Sequence, residues 1–279
     1  MDTRRKFIKK AGAGLLTAGI PSVLLGKKIN SPNNEEYPIK TGMAGYSFLH
    51  FDIEKTLEIL QILNVKYLCI KDFHLPLDAT QEECDAFQAK LRSKDVTGYA
   101  VGPIAMRSEA EIDRAFVHAK MVGVNLVVGV PNYELLPYVD RKVKEYGFNY
   151  AIHIHGPDAR LYPNAKDVID NVQHLDPRIG ICLDIGHNIR CGDCPVEDLE
   201  KYASRVFDVH IKDVTAAARE GRDIELGRGV IDFSAFVKML RKVNYNGVCS
   251  LEYEKDMREP FLGIAESMGY FNGVIDATK

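Results

Sequence analysis

Several features that would assign this chain to other structural classes are missing from its sequence. It contains no internal repeat of solenoid length and no low-complexity segment beyond one short polar linker. The apolar stretch at residues 11–20 is too short to span a bilayer as a helix. No second CxxC motif accompanies Cys191 and Cys194, so a structural zinc finger is not indicated. What remains is a chain of 279 residues, 46% hydrophobic, which can bury a full core.

The N-terminus carries a sequence typical of export signals. Residues 3–9, TRRKFIK, form a twin-arginine pattern, and an apolar stretch at 11–20, Pro21 and small residues near Gly26 follow it. This predicts a twin-arginine signal peptide over residues 1–26 and therefore an exported, periplasmic protein. The alternative is a basic N-terminus on a cytosolic protein.

Charge is unevenly distributed along the chain. The first 26 residues have a net charge of +4, which leaves −7 for the remainder because the whole chain has −3. An acidic body does not suit nucleic-acid binding. We expect no nucleic-acid partner and no membrane span in the mature protein, and a homo-oligomer remains open.

After a polar linker at residues 27–38, strand and helix patterns alternate strictly to the end of the chain. Eight strand–helix pairs predict an α/β fold, a (β/α)8 TIM barrel forming a single domain over residues 39–279. The predicted strands lie near 40–46, 66–71, 96–102, 124–130, 148–154, 179–184, 205–211 and 247–253. The predicted helices lie near 52–63, 80–93, 108–121, 133–146, 164–174, 196–203, 231–242 and 258–272.

Four strand-like runs in the second half of the chain end in side chains that can bind a metal. They are AIHIHGP (151–157), ICLDIGH (181–187), VFDVHIKD (206–213) and VCSLEYE (248–254). In a parallel barrel the carboxyl ends of the strands form the rim where chemistry occurs. A lone His or Asp at a strand end is more often a hydrogen-bonded structural group, but four in succession favour a shared site. The predicted metal ligands are His153, Asp184, His210 and Glu252.

Two imidazoles and two carboxylates make a mixed nitrogen and oxygen site for one divalent ion. Such a donor set favours Mn²⁺, Zn²⁺, Co²⁺ or Fe²⁺, whereas Mg²⁺ prefers oxygen ligands and water. An ion of this kind can polarise a sugar carbonyl and stabilise the enediolate formed when the neighbouring C–H proton leaves. The natural reaction class is therefore proton abstraction next to a carbonyl.

The ordered motifs LDIGH (183–187), VHIKD (209–213), LGRG (226–229) and SLE (250–252) resemble the sugar phosphate isomerase/epimerase family, the xylose-isomerase-like TIM barrels. The resemblance covers roughly residues 40–275. It implies a small carbohydrate substrate and implies that Asp184, His210 and Glu252 are metal ligands. It also implies that His187 touches the substrate.

One position departs from the family pattern. Epimerases of this family place a Glu on the fifth strand as ligand and acid/base group, whereas this chain has His153 there and His155 two residues later. Side chains two apart on a strand face the same side, so both imidazoles can reach the barrel mouth. An imidazole can replace the ligand but not the carboxylate base, which argues against a two-carboxylate epimerisation. The candidate proton carriers or electrophiles are Glu252, His155, His187, Lys212 and Lys71.

Further residues near the strand ends are candidates for substrate contact. Tyr46 ends the first strand, His74 follows the second, and Arg228 lies in the LGRG motif. We predict that these three residues and His187 bind the substrate. The alternatives are that Tyr46 closes the barrel and that His74 caps a solvated loop.

An exported enzyme meets few sugar phosphates, and LGRG is the only Gly-rich stretch after the seventh strand. The resemblance includes barrels that isomerise or eliminate 3-keto sugars, and elimination needs only one base and a Lewis acid. We therefore expect a metal-dependent isomerase or lyase acting on an unphosphorylated keto-sugar or 3-keto-glycoside. The alternatives are a conventional sugar or sugar phosphate epimerase, a metal-dependent apurinic endonuclease, and a non-catalytic sugar-binding barrel with a structural metal.

Overall fold

Eight parallel strands close into a barrel in the computed structural model, which describes residues 38–279. The predicted signal peptide and the linker up to residue 37 lie outside the described residues. Around the barrel the strands run in the order β1-β10-β7-β6-β5-β4-β3-β2. This arrangement confirms the predicted TIM barrel. The barrel strands are β1 (Lys40–Ala44), β2 (Tyr67–Ile70), β3 (Thr97–Met106), β4 (Leu126–Pro131), β5 (Asn149–His153), β6 (Ile179–Asp184), β7 (Val206–Ile211) and β10 (Val248–Leu251).

Helices alternate with the strands along the chain, and β8 (Asp213–Val214) pairs with β9 (Asp223–Ile224) as a short antiparallel sheet between β7 and the next helix. No helix among residues 38–279 is both long enough and apolar enough to cross a membrane. The helices are α1 (Ile53–Ile62), α2 (Gln81–Ser93), α3 (Glu109–Val122), α4 (Leu136–Tyr146), α5 (Ala165–Val172), α6 (Ile185–Arg190), α7 (Pro195–Tyr202), α8 (Phe233–Lys242) and α9 (Phe261–Ala277).

Local sequence signals explain where several helices begin and end. The Asp52 side chain accepts a hydrogen bond from the Lys55 backbone N–H at the start of α1, and Thr80 forms a capping box with Glu83 at the start of α2. Gly123 ends α3 at φ 81°, a left-handed conformation that glycine adopts without steric cost. These caps satisfy backbone groups at the helix ends and fix where each helix begins or ends.

The barrel interior is apolar except for one polar cluster. All six residues of β4 and of β6 are buried, as expected for strands covered on both faces. On β7, Asp208 and His210 are two residues apart and therefore face the same side. Asp208 accepts hydrogen bonds from the Tyr99 hydroxyl at 3.0 and 3.1 Å inside the barrel. It lies beneath His210, with its Oδ2 3.6 Å from the Nε2 of that histidine.

Candidate metal centre and its cavity

Four buried side chains from neighbouring strands converge at the carboxyl end of the barrel. Their ligand atoms all lie within 4.8 Å of one another. None of the four is more than 3% exposed. They are His153 at the end of β5, Asp184 at the end of β6, His210 on β7, and Glu252 immediately after β10.

The distances between these donor atoms suit a single divalent ion. His153 Nε2 lies 2.9 Å from His210 Nδ1, and Glu252 Oε2 lies 3.4 Å from the first of these nitrogens and 3.3 Å from the second. His153 Nε2 is 3.9 Å from Asp184 Oδ2. Ligands about 2.0–2.2 Å from a tetrahedral ion stand roughly 3.3–3.6 Å apart. The cluster can therefore hold a metal after only small adjustments.

The Asp184 carboxylate is oriented by the helix that follows it. Helix α6 begins directly after β6, and Asp184 Oδ1 accepts a hydrogen bond from the His187 backbone N–H at 2.8 Å. The other oxygen, Oδ2, is buried and makes no hydrogen bond. A buried carboxylate oxygen needs a nearby cation, and the Lys212 ammonium lies 3.2 Å from this one; because the oxygen makes no hydrogen bond, it can also bind a metal.

Lys212 lies between three carboxylates beside the cluster. Its Nζ is 3.2 Å from Asp184 Oδ2, 3.1 Å from Glu252 Oε2 and 2.5 Å from Glu254 Oε2, and the residue is only 2% exposed. Burial would lower the pKa of Lys212, but Asp184, Glu252 and Glu254 raise it well above its usual value. The ammonium is therefore charged.

The contact with Lys212 also affects the protonation of Glu252. Burial would raise the pKa of Glu252, but the charges of Lys212 and His210 and a hydrogen bond with His153 hold it well below its usual range. Glu252 is therefore an anion at neutral pH.

Three histidines at the cavity are neutral at pH 7. Burial lowers the pKa of His153 and of His187 to about 4, and burial, followed by the nearby His187, lowers that of His155. The rings of His153 and His155 are 4.5 Å apart between centroids. Neutral imidazoles can bind a metal or accept a proton.

A cavity of about 1120 Å³ opens onto the cluster. It brings together most of the residues identified in the sequence. The predicted site residues on its wall are Tyr46, Lys71, His153, His155, His187 and Glu252. Lys71 forms an ion pair with Asp72 on the same wall, while Lys212 lies behind Glu252 and Glu254.

Two residues predicted to contact substrate lie elsewhere. His74 Nε2 is 3.1 Å from the Phe51 carbonyl oxygen and 3.3 Å from the Thr56 hydroxyl, so its ring fastens the loop after β2 to helix α1. Arg228 is exposed and pairs with Glu266 on α9. Neither residue lines the cavity, because the loops after β2 and β9 direct these side chains against neighbouring helices.

Glu254 lines the wall on the same side as Glu252, as its spacing of two residues from Glu252 indicates. Three other cavity residues were not identified from the sequence. Tyr133 follows β4, Arg160 lies in the loop after β5, and Arg114 is on α3. No local sequence signal marks these three residues, because their positions depend on how loops and helices pack.

The HIKD and LGRG motifs form one structural unit. The Asp213 carboxylate accepts hydrogen bonds from the backbone N–H groups of Gly227 and Gly229, both at 2.9 Å, and of Ile231 at 3.2 Å. A Cβ atom on Gly229 would lie 2.2 Å from Asp213 Oδ1, so the close approach requires glycine. This unit holds the backbone next to Lys212 and leaves the LGRG stretch bound to Asp213.

Comparison with known proteins gives partial matches to curated enzymes. Inosose dehydratase of Clostridium beijerinckii is 32% identical over 107 residues, which cover 32% of this chain and 36% of that enzyme. 3-Oxo-isoapionate decarboxylase of Pectobacterium atrosepticum is 37% identical over 83 residues, covering 27% of this chain and 30% of that enzyme. The chain thus matches about a third of the length of these relatives.

A solved structure and a family model cover much more of the chain. The IolI protein, solved with a bound zinc atom, superposes with a TM-score of 0.71 over 86% of this chain and 99% of that one, at 17% identity. This likeness establishes the shared fold. The model of the xylose isomerase-like TIM barrel family matches residues 65–273, which include all four residues of the metal cluster. The chain therefore belongs to the xylose isomerase-like TIM barrel family.

Proposed function

We propose that this protein is a metal-dependent enzyme that removes the proton next to the carbonyl of an unphosphorylated keto-sugar or 3-keto-glycoside. The reaction then proceeds as an isomerisation or an elimination. The observation that carries the proposal is the convergence of two imidazoles and two carboxylates on one point at the floor of a large cavity. The partial relatives named inosose dehydratase and 3-oxo-isoapionate decarboxylase support it.

We infer that His153, Asp184, His210 and Glu252 hold the ion. Support comes from the donor spacing and from Asp184 Oδ2, which is buried without a hydrogen bond. The mixed donor set favours Mn²⁺, Zn²⁺, Co²⁺ or Fe²⁺, and the IolI structure contains zinc. A bound divalent ion would supply Lewis acidity to the carbonyl oxygen of the substrate.

The side chains of the chain itself account for the proton transfer. Glu252 is an anion beside the Lys212 ammonium and faces the cavity, so we assign it the role of base. His155 and His187 are neutral and line the same wall, where either can carry a proton or contact sugar hydroxyls. Lys71 lies on the wall of the same cavity, where it pairs with Asp72.

Elimination or isomerisation fits these groups better than a two-carboxylate epimerisation does. The fifth strand ends in His153, so no carboxylate stands opposite Glu252 at this position. Burial lowers the pKa of His153 to about 4, so its ring is neutral. One base and one Lewis acid are enough for elimination next to a carbonyl. We therefore assign the isomerase or lyase reaction ahead of conventional epimerisation.

Glu252→Gln tests the assignment of the base. Gln keeps the shape and one ligand oxygen, so metal should be partly retained while turnover falls by about a hundredfold or more. NMR of a panel of keto-sugars and keto-glycosides, with metal analysis of the same samples, measures both effects. Glu266→Gln, a change on the surface, should leave both unchanged. If Glu252→Gln binds metal and still turns over at the wild-type rate, the base is His155, His187, Lys71 or Lys212.

We also propose that the protein is exported with its metal already bound. The twin-arginine pattern at Arg4 and Arg5 supports this proposal, because that route carries folded proteins. Changing both arginines to lysine should keep the protein in the cytoplasm as a folded, active enzyme. Normal export of the double variant would contradict the assignment.

A further inference from the structure

The cavity is larger than one sugar ring requires. Its volume is about 1120 Å³, whereas sites for drug-sized ligands measure about 300–1,000 Å³. A hexose has about a dozen non-hydrogen atoms, well below the size of a ligand that fills such a site. A single ring at the metal cluster therefore leaves most of the cavity unfilled.

About half of the residues on the part of the cavity wall away from the metal cluster are apolar or aromatic. This part of the wall is formed by the ends of β3 and β4, by the first turns of α3, and by the loops after β2 and β5. Sugar hydroxyls need polar partners, whereas this wall offers aliphatic and aromatic surface. Its apolar and aromatic residues are Leu77, Pro103, Ile104, Val130, Tyr133 and Leu161.

The carboxylates on this part of the wall already have partners. Asp72 pairs with Lys71, and the Glu111 side chain accepts a hydrogen bond from the Arg107 backbone N–H. Glu134 accepts a hydrogen bond from the Asn132 side chain at 2.9 Å. Lys71 balances the charge of Asp72. Glu111 and Glu134 accept hydrogen bonds from neutral donors and keep their negative charge.

Two arginines on the same wall have no such partner. Among residues 38–279, neither Arg114 nor Arg160 forms a hydrogen bond or an ion pair, whereas Arg107 donates to the Val130 carbonyl oxygen at 2.9 Å. Both guanidinium groups are at exposed positions. The three arginines on this wall outnumber the two acids that lack a cationic partner by one charge, so the outer part of the cavity has a small excess of positive charge.

We propose that the substrate has a second ring that bears a carboxylate, and that Arg114 and Arg160 bind this carboxylate. The apolar residues of this wall then contact the faces of the second ring, and the oxidised sugar lies at the metal cluster. The placement of the sugar rests on the proposed function, whereas the carboxylate subsite rests on the outer wall alone. Guanidinium groups suit this role because they bind carboxylates through paired hydrogen bonds.

Binding of unreactive glycosides to the metal-loaded protein tests the proposal. Isothermal titration calorimetry would compare 4-carboxyphenyl glucoside, in both anomers, with phenyl glucoside, and a glucuronic acid-terminated disaccharide with its neutral counterpart. We expect the carboxylate to tighten binding by about tenfold or more. Tighter binding of the charged glycoside in either pair supports the proposal. The carboxylate-bearing glycoside that binds more tightly of the two identifies whether the second ring is aromatic or a sugar.

Variants connect the preference to the two arginines. The double change Arg114→Gln and Arg160→Gln should abolish the preference while circular dichroism shows an unchanged fold. Arg92→Gln is the matched control, because Arg92 is exposed on α2 outside the cavity. Equal affinity for charged and neutral glycosides in the wild type, or an undiminished preference in the double variant, would overturn the proposal. Because none of these glycosides contains a keto group, the result does not depend on turnover, and a failed keto-sugar assay would count against the proposed function only.

Discussion

Replacing Lys212 with Met should destabilise the metal-free protein much more than the metal-loaded protein. Met has a similar length but no charge. The Lys212 Nζ lies 3.2 Å from Asp184 Oδ2 and 3.1 Å from Glu252 Oε2, and the side chain is 2% exposed. Without metal, the variant therefore leaves two buried carboxylates without the cation that balances them.

The expected magnitude follows from these distances. Each contact near 3 Å is worth about 5 kcal/mol at an effective dielectric constant near 20, but desolvation of the ammonium offsets several kcal/mol. We therefore expect a net loss of about 3–5 kcal/mol in the free energy of unfolding of the metal-free variant. A divalent ion on Asp184 and Glu252 would supply the missing charge and restore about 2 kcal/mol. By linkage, that recovery equals metal binding about thirtyfold tighter than in the wild type.

Urea unfolding of the wild type and of Lys212→Met, with and without saturating metal, measures the loss in free energy of unfolding in each form. Metal titration measures the affinity of each protein for the ion. Lys142→Met is the matched control, because Lys142 also contacts two carboxylates, Asp113 at 2.8 Å and Glu145 at 2.9 Å, but on the surface. It should cost at most about 1 kcal/mol, equally with and without metal. An equal loss for Lys212→Met in both forms would refute the reasoning.

Three further changes test the structural account. Asp213→Asn removes the charge that accepts the Gly227 and Gly229 N–H groups, and urea unfolding should show a loss of about 2–4 kcal/mol; a loss below about 0.5 kcal/mol would contradict this. Gly180→Ala places a Cβ 2.0 Å from the Arg205 carbonyl oxygen and should cost at least about 1–3 kcal/mol. Gly269→Ala, in α9 with open space around the new Cβ, should instead stabilise by about 0.5–1 kcal/mol; equal effects of the two glycine changes would contradict the packing.

Most of the barrel follows from short-range patterns. Strands such as β4 and β6 are apolar at nearly every position because both faces are covered, and this makes their limits visible in the sequence. β3 was placed at residues 96–102 but continues to Met106, because the chain resumes strand pairing at Ile104 after Gly102 and Pro103. Helix α6 was not predicted, since it starts as β6 ends and is capped by the same Asp184 that belongs to the metal cluster.

In the candidate site, too, some residues could be predicted from the sequence and others could not. His153, Asp184, His210 and Glu252 could be grouped from the sequence because parallel strands bring their carboxyl ends to one rim, whatever the details of packing. The directions of His74 and Arg228 could not be predicted, since contacts with α1 and α9 decide where these loop side chains point.

The outer wall of the cavity was also beyond prediction from the sequence. Arg114 and Arg160 come from a helix and a loop whose approach to the cavity depends on tertiary packing. Their lack of partners is visible only once the neighbouring carboxylates have been assigned.

Incorporation of solvent deuterium into a keto-glycoside tests the central claim most directly. In D₂O, the metal-loaded wild type should exchange the proton next to the carbonyl, as followed by loss of its ¹H NMR signal. Exchange should stop when a chelator removes the metal and resume when Mn²⁺ or Zn²⁺ is restored. His153→Ala, which removes one imidazole of the cluster, should exchange far more slowly at the same metal concentration. Exchange that continues at the wild-type rate in the chelated protein or in His153→Ala would contradict the account.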